Sequence, residues 1–185
     1  MAEHRPIVMI GGVLKELPDG DTIAGVPPAI YASRRSAATA QVLTSSWATI
    51  SIDERFDSAA AYLFVSDAAE FTWSGSDDEV TVTTGGHWLL ESMLHYEQTG
   101  GNNRTDVEVR IQKKIGGGSW GTLGGDTGSG YSRNTANGNE SVAVWADDTL
   151  SAGDDIRIQA RTASGSGVIQ IKASGANIRL IRLGA

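Results

Sequence analysis

The stretch Gly116 to Gly130, GGGSWGTLGGDTGSG, carries the patterns most suggestive of chemistry. Gly116, Gly118 and Gly121 satisfy GxGxxG after a strand-like run, and Gly117, Ser119 and Gly121 satisfy GxSxG. The first pattern cradles a dinucleotide pyrophosphate and the second presents a nucleophilic serine. Each works only when a helix comes next, to aim its N-terminal amides or support the sharp turn. The next residues in this chain are TLGGDTGSG, which cannot form a helix, and eight glycines in fifteen positions cannot carry a core of their own. The segment is expected to be a flexible or tightly turning loop between strands, with neither cofactor nor nucleophile. Asp77, Asp78 and Glu79 could offer oxygens to calcium. Adjacent side chains point in different directions, however, and the spaced loop of an EF-hand is absent, so a solvated turn is the favoured reading. His4, His87 and His95 show no metal-ligand spacing, although His87 and His95 could meet on a strand pair. A glycosidase needs two carboxylates about 5–10 Å apart in a cleft. Asp126, Asp147 and Asp148 lie in plausible loops, but no pattern nominates a pair. Asn103-Arg104-Thr105 and Asn139-Glu140-Ser141 match glycosylation sequons and read as turn asparagines. Trp120 and Tyr131 lie in or beside loops, where flat rings can stack on sugars or anchor a protein, and they are the candidate ligand contacts. Trp145 reads as core packing.

The elements that must hold these residues emerge from composition and pattern. The chain has 185 residues and no cysteine, so thiol chemistry and disulfide staples are excluded and stability must come from packing or assembly. A net charge of -7 argues against wrapping nucleic acid or docking on anionic lipid. The apolar run Ile7 to Ile10 is too short to span a membrane or serve as a signal core, so cytoplasmic synthesis without export by that route is expected.

Period-two alternation recurs from about residue 48. Ile50 and Ile52 share one face of ATISID, and Val80 and Val82 one face of EVTVTT. In HWLLESMLHYEQ, Trp88, Leu90, Leu94 and Tyr96 share a side, while Leu89 and Met93 make the other side apolar too; a strand is predicted. DVEVRIQKK turns Val107, Val109 and Ile111 inward, and SVAVWA, DIRIQAR, VIQIKA and NIRLIRL continue the pattern. Turn-forming TGGNN, NTANGNE, LSAGDD and ASGSG separate them. Eight or so such strands predict an all-β antiparallel sandwich, jelly roll or barrel. Residues 29–47, small and alanine-rich, read as a linker or short helix, with Arg34 and Arg35 as an exposed pair.

From about residue 69 onward, EFTWSGSDDEVTVTTGGHWLLESMLHYEQ, RTDVEVRIQKK, GYSR, SVAVWADDTLSAGDDIRIQAR and NIRLIRL resemble the jelly roll of the C1q/tumour-necrosis-factor-like superfamily in its bacteriophage version. The cues arrive in that family's order, and the SAGD turn at Ser151 to Asp154 is the most specific. The resemblance implies a jelly roll over residues 48–185 and a homotrimer. PIVMIGGVLKELPDGDTIAGVP similarly resembles the N-terminal segments of virion-attached proteins. It implies an extended anchoring arm over residues 1–28 that docks on another virion protein through Ile7, Val8, Ile10, Leu14, Leu17 and Asp21, with Val13 adding apolar surface. The implied role is a non-enzymatic structural protein of a phage particle, located in the virion, whose head meets a host-surface glycan or protein. A capsid-decoration trimer is the near alternative and a carbohydrate-active enzyme the remote one. No nucleic acid, membrane insertion, metal or cofactor is expected.

Overall fold

Alternating apolar residues become paired strands along most of the chain. The computed structural model describes residues 7–10, 13–16, 30–35, 40–52, 54–55, 71–73, 78–125 and 127–184. Its strands are β1 (Ile7–Ile10), β2 (Val13–Glu16), β3 (Ile30–Arg35), β4 (Gln41–Val42), β5 (Ala48–Thr49), β6 (Glu54–Arg55), β7 (Phe71–Trp73) and β8 (Val80–Val82). The chain continues through β9 (Gly86–Gly100), β10 (Thr105–Lys114), β11 (Trp120–Thr122), β12 (Gly128–Ser132), β13 (Glu140–Leu150), β14 (Asp155–Ser164) and β15 (Val168–Gly184). The described residues contain no α-helix, only single 3-10 turns at Leu123–Gly125 and Thr135–Asn137.

Two antiparallel sheets make the body. A seven-stranded sheet runs β11-β10-β14-β8-β7, with β12 also on β10 and β5 on β14. A six-stranded sheet runs β13-β9-β15-β3-β6, with β4 on β15. Strands distant in sequence lie side by side in both, the crossing pattern of a jelly roll. β1 and β2 form a separate hairpin.

The core lies between the sheets. β9 contributes Trp88, Leu90, Leu94 and Tyr96, all fully buried, as the alternation predicts. The other sheet answers with Val107, Val109, Ile111, Ile156 and Ile158, equally buried. Each such side chain adds about 1.5–3 kcal/mol of hydrophobic stabilisation. Burial, with the Glu140 and Asp106 charges behind it, pushes the Tyr96 phenol up to about 12. The SAGD turn carries the chain from β13 in one sheet to β14 in the other. Ser151 N donates to Asp154 Oδ2 at 2.9 Å, Asp154 N returns to Ser151 O at 3.0 Å, and Gly153 takes the left-handed φ of 91°.

Three expectations are corrected. Residues 29–47 contain strands where a linker or short helix was expected: β3 pairs with β15 from Arg182↔Ile30 to Asn177↔Arg35, and β4 pairs with Ile171 and Gln170. Backbone ladder bonds to β15 pair both strands, although their sequences carry too short an alternation to announce them. The glycine-rich segment also contains strands. After a turn at Gly116 and Gly117, with φ of 51° and 79°, β11 and β12 pair in succession along β10. Glycine suits β12 because a Cβ at Gly128 would strike the Ala143 backbone. Finally, VIQIKA and NIRLIRL are one strand, β15, whose register along β9 shifts between Ile171 and Ala176.

Candidate interaction faces

Each sheet turns one face to the core and the other outward, and the outward faces differ in chemistry. On the six-stranded sheet the outward rows are set by register. Asp147, Leu89 and Ile181 form one row of positions, Trp145, Glu91 and Arg179 the next, and Ala143, Met93 and Asn177 a third. Seven large hydrophobic side chains are exposed among the described residues, and five of them, Val42, Met93, Trp145, Val168 and Leu183, belong to this sheet. Met93 and Trp145 lie in adjoining rows at the middle of the sheet, Leu183 toward one end, and Val42 and Val168 toward the other, which makes this face the candidate interaction surface.

Trp145 is 69% exposed midway along β13, the strand at one edge of this sheet. This corrects the core reading: Val142, Val144 and Ala146 take the inward positions of β13, so period two sends Trp145 outward. The charges around it are partly paired, with Arg179 Nη1 3.9 Å from Glu91 Oε2 and His87 Nε2 3.5 Å from Asp147 Oδ2. Where β15 shifts register, His95 Nδ1 lies 2.6 Å from Ser141 Oγ. That contact resembles a nucleophile and its base. Both groups are exposed on regular strands, and no carboxylate among the described residues lies within hydrogen-bond distance of the ring to orient it. His87 and His95 do not meet across a strand pair, because both lie on β9.

The outward face of the seven-stranded sheet is a ladder of polar partners. Cross-strand neighbours Lys114↔Asp155, Gln112↔Arg157, Arg110↔Gln159 and Glu108↔Arg161 alternate in kind down β10 and β14. Lys114 Nζ lies 2.9 Å from Asp155 Oδ2 and 3.4 Å from Glu79 Oε2, and Arg161 Nη2 lies 2.8 Å from Glu108 Oε2. Arg157 donates from Nε and Nη2 to Gln112 Oε1 at 2.9 and 2.8 Å, and Arg110 likewise to Gln159 Oε1 at 3.1 and 2.7 Å. Aromatic rings flank the cations: Trp47 carries Arg110 and Arg161 at 4.1 and 4.6 Å, and Trp120 carries Arg157 and Lys114 at 3.9 and 4.8 Å. Burial, joined by the charges of Arg157 and Arg161, pushes the Arg110 guanidinium below its ordinary value. Burial also lowers Arg157, against an opposing pull from Glu79.

The candidate ligand contacts Trp120 and Tyr131 lie on neighbouring edge strands of this sheet, each already covered by a cation; Arg104 sits 4.2 Å over Tyr131. Trp47 was missed, because its closeness to Arg110 and Arg161 depends on a β5–β14 pairing between segments far apart in sequence. Asp78 accepts from Ser51 Oγ at 3.0 Å and Ile52 N at 3.3 Å, and with Glu79 on Lys114 these carboxylates serve contacts within the chain. Asp77, Leu17, Asp21 and Asp126 lie outside the described residues, as do the side chains of Ile7, Val8, Ile10 and Leu14. Among the described residues, no group of three His, Asp or Glu side chains is arranged to hold a metal ion, and no helix is long and apolar enough to cross a membrane.

Two packed antiparallel sheets with this strand order define a jelly roll of the tumour-necrosis-factor type. The solved Eiger TNF from S. frugiperda is similar to the chain with a TM-score of 0.55 and 17% identity, over 85% of this chain and 94% of that one. Murine APRIL at pH 5.0 is similar with a TM-score of 0.52 and 12% identity, over 84% and 99%. At these identities the likeness is one of fold. No family model and no curated protein matches the sequence.

Proposed function

We propose that this protein is a non-enzymatic structural component of a phage particle, a homotrimer built on the outward face of the six-stranded sheet. The observation that carries the assembly reading is the gathering of Val42, Met93, Trp145, Val168 and Leu183 on that one sheet. Covering them removes apolar area from water at about 25 cal/mol per Å², before the ordering costs of association. The trimeric order and the virion setting come from the sequence resemblance. The arm supports that setting. An isolated two-stranded hairpin such as β1–β2 is marginally stable in water, so a docking partner for Ile7, Val8, Ile10 and Leu14 accounts for an apolar hairpin there. With the six-stranded face inside the trimer, the seven-stranded sheet is left to face the host surface.

Leu14→Asp in the full chain tests the arm. Incorporation into particles is expected to fail while mass and melting temperature stay those of the wild type. Normal incorporation, or a collapse of the fold, contradicts the anchoring role.

A further inference from the structure

We infer that the guanidinium row Arg157, Arg110, Arg161 on the seven-stranded sheet, flanked by Trp120 and Trp47, is a binding site for an acidic oligosaccharide. The inference deepens the host-attachment reading by naming a ligand class, and it is tested apart from that reading, since binding to the purified chain requires no particle.

Three like charges are held together here. Arg161 has its carboxylate, Glu108, in a forked contact. Arg110 and Arg157 donate hydrogen bonds only to a neutral amide oxygen each, from the buried Gln159 and Gln112, 6% and 4% exposed, with Glu79 acting on Arg157 through space. In both, the glutamine takes Nε and Nη2 and fixes the guanidinium plane. Among the described residues no acceptor lies within hydrogen-bond reach of either Nη1. A guanidinium has five N–H donors in a rigid fork suited to carboxylate or sulfate. Orienting two of the guanidiniums on buried amides, with no carboxylate in hydrogen-bond contact with either, leaves their free N–H groups ready for an external oxyanion. The same antiparallel pair builds the unit twice with the strands exchanged, Arg110 on Gln159 and Arg157 on Gln112.

Spacing selects the ligand. Four residues of β14 separate Arg157 from Arg161, about 13 Å at strand rise, with Arg110 between them on β10. That is the length of a short oligosaccharide, with a tryptophan at each end able to pack against sugar C–H groups. A long, densely charged polyanion such as duplex DNA meets the net charge of -7 of the whole chain, whereas a short, sparsely charged saccharide meets chiefly the local row.

Calorimetric titration of the full chain with a hyaluronan hexasaccharide, a heparin-derived hexasaccharide, cellohexaose, inorganic sulfate and duplex DNA tests the site. At least one acidic hexasaccharide is expected to bind at least tenfold more tightly than cellohexaose and than DNA. Arg110→Gln with Arg157→Gln is expected to lower that affinity at least tenfold at unchanged mass. Trp47→Ala with Trp120→Ala is expected to weaken the hexasaccharide while leaving any sulfate binding in place. If the arginine variant fails to fold, the wild-type Trp47 and Trp120 indole N–H resonances are expected to shift on titration with the acidic hexasaccharide. Equal affinity for acidic and neutral sugars, DNA bound more tightly than either acidic sugar, retention of affinity in a folded arginine variant, or unmoved indole resonances each overturn the inference.

Discussion

The two outward faces arise from one rule and end in opposite chemistry. Both sheets alternate inward and outward residues, and both bury a row of isoleucine, valine and leucine between them. On the seven-stranded sheet the outward residues answer one another across β10 and β14, with lysine against aspartate, arginine against glutamine or glutamate, and a tryptophan at either side. On the six-stranded sheet Trp145, Met93 and Leu183 are exposed with no comparable ladder around them. A polar surface whose groups are mostly paired can remain in water. A surface that leaves a tryptophan 69% exposed, with Leu89 and Met93 in the adjoining rows, gains by being covered. The proposed trimer uses this difference, placing assembly on the apolar face and exposure on the polar one.

The largest effect that can break this comparison comes from charging the apolar face. Trp145→Glu with Met93→Lys is expected to weaken self-association by about 30-fold or more, the loss of a hot spot worth about 2 kcal/mol, with the far-ultraviolet spectrum unchanged. Sedimentation velocity reads it, and an unaltered assembly would show that the face is not the interface.

Next in size is a change inside the ladder. Burial pushes the Asp155 carboxyl up, but hydrogen bonds from Thr81 and Lys114 outweigh it and hold the group below the ordinary carboxylate range. A depressed carboxylate contributes stability above its unfolded value of about pH 4 and loses it as pH falls through the lower folded value. Asp155→Asn is therefore expected to cost about 2 kcal/mol at neutral pH, and the gap to wild type is expected to close in acid, with mass unaffected throughout. Denaturant melts across pH check both the size and the sign. A gap that widened on acidification would reverse the assignment.

Smaller again, Trp120→Ala is expected to cost about 0.5–1 kcal/mol through the lost stacking on Arg157 and Lys114. Smallest of all, Arg104→Ala at the exposed rim is expected to stay within about 0.5 kcal/mol of wild type, as exposed ion pairs do. Thermal melts at one pH separate the two.

The strands that build these faces were legible where side chains alternate. β9 and β10 announce their buried rows, and the apolar second face of HWLLESML is found as the outward Leu89 and the exposed Met93. Trp145 was legible too, from Val142, Val144 and Ala146, whose phase sends it outward against the expected core packing. β3 was not legible, because IYASRR offers only Ile30 and Ala32 in alternation before two arginines, and its pairing with β15 joins segments far apart in sequence. β11 and β12 were hidden by glycine, whose scarcity in strands is a matter of propensity that tertiary context overrides. The ladder itself was invisible in a more basic sense. Each arginine could be seen, but its glutamine lies 45 or 49 positions away, and only the register brings the two together.

The central claim, that the six-stranded face is an assembly surface, is tested most directly by light scattering on the full chain at micromolar concentration. The account predicts three times the 19.4 kDa mass of one chain, falling to that of one chain in the Trp145→Glu, Met93→Lys variant. A wild-type protein that scatters as a single chain would contradict it.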